Sequence, residues 1–121
     1  MNGSGGEHMS ARFYDETVFQ AWQRGVEIAG PRWFADGQTS PDSATSKWDL
    51  SPRVDEIRSA IGWLSSGEAM FLAAMVSFYN SEPGGELLRS LGANGLSDIA
   101  ASLDESRRQV IADLPLAYAG W

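Results

Sequence analysis

Chemistry in this chain has to come from carboxylates, arginines and aromatic rings, because the side chains that usually supply it are nearly absent. There is one histidine, His8, and no cysteine. His8 sits in the opening stretch MNGSGGEHM, whose Gly/Ser-rich run ending in His-Met reads as the remnant of an expression tag. Setting residues 1–8 aside leaves a single domain over 9–121 with neither residue type. The commonest general base, the commonest metal ligand and the thiol nucleophile are then missing together. Ser-His-Asp catalysis is excluded, and no metal or cofactor is expected. Phosphate-cradling glycine loops, HExxH and GxSxG are not found either.

Acidic residues remain. Asp55/Glu56 and Asp104/Glu105 are adjacent pairs, and neighbours on a helix diverge by about 100°. Neither pair can converge on one substrate atom, so both read as solvated faces. Asp36, Asp42 and Asp49 are spaced too irregularly for an EF-hand loop. Glu68 falls in Ser65-x-x-Glu68, a capping box in which the acid reaches back to the cap amide. No catalytic residue is therefore assigned. A carboxylate-dependent enzyme is kept as an alternative, since two acids suffice for glycoside hydrolysis.

Arg53, Arg58, Arg107 and Arg108 are the helical cations that an anion could use. Arg107-Arg108 lies between Asp104-Glu105 and Asp113, so pairing along the helix is the simpler expectation. The chain carries 16 acidic and 9 basic residues, a formal charge of −7. That balance argues against nucleic acid and against an anionic membrane surface. The acids are interleaved with arginines, which disfavours a nucleic-acid mimic. The most apolar run, Ala69–Tyr79, contains Ser77 and is far shorter than the roughly 20 residues a span requires.

Aromatic residues are the remaining signal. Five tryptophans exceed what a small core needs, and tryptophan is enriched at binding hot spots. Trp33, Phe34 and Trp48 fall in a long loop over 31–50. Trp63 lies roughly 140° off the apolar stripe of its helix, counting about 100° per residue. These four are the candidate binding residues. The competing expectation is that they pin the loop to the core.

The elements that must position these groups read as helices separated by Gly, Pro and Ser. The first spans about 15–29, starting at Asp15 or Tyr14, with Val18, Trp22, Val26 and Ala29 on one face. Ser51-Pro52 opens a second, with a stripe of Val54, Ile57, Ile61 and Leu64. The third, about 67–80, is apolar on every side and should be the buried centre, with Phe71, Leu72, Met75 and Val76 in the core. A turn at 80–85 and a short helix over 86–91 follow. Ser97 caps a last segment, where Ile99, Leu103, Val110 and Leu114 share a face up to Pro115. A second capping box, Ser102-x-x-Glu105, allows a bend near Leu103.

No stretch alternates with period two. The expected fold is all-α: a single-domain irregular bundle of four or five helices. The expected function is a small acidic, cytoplasmic protein-interaction or regulatory module without catalysis. The alternative is a small-molecule binder with a pocket between helices. Its partner should be a protein. The apolar tail Leu114–Trp121 also suggests a homodimer.

Overall fold

The computed structural model describes residues 17–118, and within them the helix ends explain most of the architecture. The tag stretch at 1–8, Tyr14, Asp15 and Trp121 lie outside the described residues. Helix α1 runs Val18–Ala29 and starts at Thr17, where Thr17 and Gln20 form a reciprocal capping box. It ends at Gly30, whose φ of 108° is strained for any residue with a Cβ.

The long loop carries three 3-10 turns, Pro31–Trp33, Pro41–Ser43 and Lys47–Leu50. Its two ends are stitched by an antiparallel bridge between Phe34 and Pro52. The Ala35 amide donates to the Ser51 carbonyl and the Arg53 amide to the Trp33 carbonyl, each at 2.8 Å. That bridge moves the next helix. Ser51-Pro52 belongs to the bridge instead of capping, so α2 begins later and spans Val54–Ala60.

Helix α3, Ser66–Tyr79, is the centre of the bundle. Ser65 and Glu68 form the expected capping box, and every residue from Ala69 to Val76 is buried. It packs against α1 and against the three helices that follow it. The first of these, α4, spans Ser81–Ser90, where a turn had been expected over its first half. Asn80 ends α3 and caps α4, accepting from the Glu82 amide. Pro83 falls in the first turn, where its missing amide has no intrahelical partner to lose. Gly84 is needed because a Cβ there would land on the Ser77 backbone of α3. Proline and glycine here serve a close helix crossing.

Helices α5, Leu96–Ser102, and α6, Glu105–Ala117, complete six helices among the described residues. The extra helix arises because the last segment breaks at Leu103. The cap of α6 is Asp104, accepting from the Arg107 amide, and not the Ser102 box. Gly95, not Ser97, holds the cap position of α5. Pro115 lies inside α6, which continues to Ala117; the ring removes one amide on an exposed face.

The core is one contiguous cluster drawn mainly from the helices, with Trp33, Phe34 and Leu50 of the loop added to it, and no strand occurs among the described residues. Phe71, Leu72, Met75 and Val76 are all buried. Trp22 ties three elements together. Its Nε1 donates to the Leu50 carbonyl at 2.8 Å, and its ring meets Phe34 edge-on at 5.8 Å and stacks near Tyr79 at 6.2 Å.

Candidate interaction surface

The four aromatic candidates separate into two pairs. Trp33 and Phe34 are buried, part of the core that holds the loop against α1. Neither presents a ring to solvent. Trp33 borders a space of only about 10 Å³, shared with Leu64, Glu68, Phe71 and Arg107. That is room for at most a single water, so this part of the structure holds no ligand-sized chamber. Trp48 and Trp63 are the opposite case, 56% and 88% exposed. Trp48 stands at the Lys47–Leu50 turn with the Lys47 ammonium 5.1 Å from its ring centre. Trp63 follows α2, its amide donating to the Ala60 carbonyl.

Most charged groups are committed to structure. Glu68 accepts from the Ser65 amide and hydroxyl, and the amide first, then the hydroxyl, hold its carboxyl below the ordinary range. Asp104 is lowered chiefly by the Arg107 backbone amide at the start of α6. Arg107 pairs with Asp104 at 2.7 Å, and its guanidinium lies 5.9 Å from the Phe71 ring centre. Its buried Nε has no hydrogen-bond partner among the described residues. Arg24 reaches Asp113 at 2.7 Å, and Gln109 donates to the other carboxylate oxygen at 2.9 Å, locking α1 to α6. Arg58 pairs with Asp55 at 3.1 Å and lies 3.8 Å from Glu86. Arg53 donates to the Arg32 carbonyl. No group of acidic side chains able to hold a metal ion occurs among the described residues. No described helix is long and apolar enough to cross a membrane.

Arg108 departs from the expectation of pairing: it makes no ion pair among the described residues. It lines an open groove of about 340 Å³ between α5 and α6, with Leu96, Ile99, Leu103, Ile111 and Pro115. A second concavity of about 370 Å³ lies on the other flank of α5, lined by Leu88, Arg89 and Ala93 together with the same Leu96 and Ile99. Leu96 is 82% exposed, and α5 contains no buried residue. A helix that buries nothing fully and carries an exposed leucine between two hollows departs from ordinary surface.

The sequence reading missed this feature, although its signal was present. Leu96, Ile99, Ala100 and Leu103 recur at helical spacing. The expected core stripe takes in only Ile99 and Leu103 of these, together with Val110 and Leu114, and leaves Leu96 and Ala100 unassigned. The break at Leu103 separates the two: Val110 and Leu114 turn into the core, while Leu96 and Ala100 stay outside.

Comparison of the chain with protein-family models, with curated proteins and with solved structures finds no match.

Proposed function

We propose that this protein is an interaction module that binds a protein partner through the face built around α5, without catalysing a reaction itself. One observation carries the reading: Leu96 stands exposed on a helix that buries no residue, with a solvent-open apolar groove on one side and a mixed apolar and polar hollow on the other. Exposed apolar surface that is contiguous and rimmed by polar groups marks interfaces on soluble domains. The charged side chains elsewhere support it. Glu68, Asp104 and Asp113 serve caps and ion pairs. Trp48 and Trp63 are secondary candidates for the same role at other places on the surface.

Site-specific photo-crosslinking tests the reading. Benzoylphenylalanine placed at position 96, 63, 48 or 20 of the full chain would be irradiated in its native cells. The reading calls for a discrete adduct from position 96 that excess unlabelled protein competes away, and none from Gln20. An adduct of twice the chain mass identifies the partner as a second copy. No adduct from 96, or the same smear from every position, contradicts it.

A further inference from the structure

We infer that the partner of the α5 face is an acidic amphipathic helix, whose apolar ridge fills the groove between α5 and α6 and whose carboxylates meet Arg108 and Arg89. This rests on the interaction reading above and adds the chemistry of what binds.

Charge complementarity decides the occupant. The only charged side chains lining the two hollows are Arg108 in one and Arg89 in the other. Neither forms an ion pair among the described residues, whereas Arg24, Arg58 and Arg107 do; Arg32 and Arg53 also form none, but neither lines these hollows. The chain as a whole is acidic, with 16 carboxylates to 9 cations. Two arginines without an ion pair, one on each flank of the Leu96–Ile99 crest, therefore run against the composition, while acids such as Asp98 stay out of both linings. A face of that kind attracts anionic partners and repels cationic ones.

Shape selects a helix. Side chains from two helices, α5 and α6, line the groove, and a third helix can lay a ridge of its own side chains into such a channel. Leu96 and Ile99 form the crest between the hollows, so anchors one turn apart on the partner can straddle them, the usual i, i+3/i+4, i+7 pattern. Acidic side chains beside those anchors then reach the arginines. A lipid surface fits less well: membrane attraction needs a cluster of cations, and a chain of formal charge −7 is repelled by anionic headgroups.

The test is selection from a display library of helical peptides. Leucine is fixed at i, i+3 and i+7, and the flanking positions vary among Glu, Gln and Lys. The full chain is the bait, and selected peptides are measured by fluorescence anisotropy. Glu should be enriched over Lys at the flanks. Leu96→Asp should weaken the selected peptide about tenfold or more by removing an apolar anchor contact. The double variant Arg89→Glu/Arg108→Glu should turn the preference toward Lys, changing the Glu/Lys affinity ratio by roughly tenfold. Unchanged far-UV circular dichroism checks that these surface variants fold. Enrichment of Lys, or indifference to charge, overturns the acidic-partner inference and leaves the interaction reading standing. No enrichment, or selected peptides that bind Leu96→Asp equally well, overturns both. Sedimentation with phosphatidylglycerol vesicles that Leu96→Asp abolishes would reassign the face to lipid and overturn the inference.

Discussion

The indole nitrogen of Trp22 lies 2.8 Å from the carbonyl oxygen of Leu50, and both residues are fully buried. This bond fastens the last turn of the long loop to α1. Trp22→Phe keeps most of the ring but leaves the carbonyl buried without a donor. It should cost about 1–3 kcal/mol, the range for stranding a buried polar group. Trp22→Ala adds a cavity and should cost about 3–5 kcal/mol. Urea midpoints at constant slope measure both.

Neighbouring glycines in α4 should respond in opposite ways to alanine. Helix propensity favours alanine by about 1 kcal/mol at either position. At Gly84 the new methyl would strike the Ser77 backbone, which cannot swing aside, so the clash wins. A net loss of about 1–3 kcal/mol is expected, typical of overpacking. At Gly85 the nearest atom is Arg89 Nη1, at 3.2 Å and at the end of a flexible side chain. Gly85→Ala should be neutral or stabilise by up to about 1 kcal/mol. Thermal melts of the two variants side by side decide this.

Acid should loosen the caps. Glu68 and Asp104 both have carboxyls lowered by hydrogen bonds that exist only in the folded helix ends. A carboxyl depressed in the folded state contributes stability above its unfolded value and loses it as pH falls through the folded value. Stability should therefore be level above about pH 5 and fall as pH drops below about 4. Glu68→Gln keeps an oxygen acceptor but cannot titrate, so its stability should depend less steeply on pH over that window. Denaturation midpoints across a pH series would show no difference in slope if the capping account were wrong.

The two pairs of aromatic candidates should differ sharply in stability effect. Trp33→Ala empties a buried site and should cost about 3–5 kcal/mol. Trp63→Ala removes an exposed ring and should stay within about 0.5 kcal/mol of the parent. Equal losses at the two positions would mean that Trp63 packs against something the described residues do not contain.

The helical class was legible because the apolar periods are strong, and α3 was legible twice over, from its capping box and from its unbroken apolar run. What escaped depends on tertiary contact. Pro83, Gly84 and Gly85 are turn residues by local preference, and become helical because Asn80 caps them and Ser77 needs a neighbour without a side chain. Ser51-Pro52 has a helix-start signature that the bridge to Phe34 overrides. Trp33 and Phe34 could not be told from Trp48 by sequence, since all three are loop aromatics and burial depends on how the loop folds onto α1. Leu96 was hidden for a related reason: the two-residue break at Leu103-Asp104 sets α5 apart as a separate short helix, and Leu96 stands on its outer side.

Amide hydrogen exchange of the full chain, with and without the selected acidic helical peptide, tests the central claim most directly. Slowed exchange should appear over residues 96–103 and 108–115, with Trp48, Trp63 and their neighbours unchanged. Protection centred on Trp48 or Trp63, or no protection at α5 at saturating peptide, would contradict the assignment of this face as the binding surface.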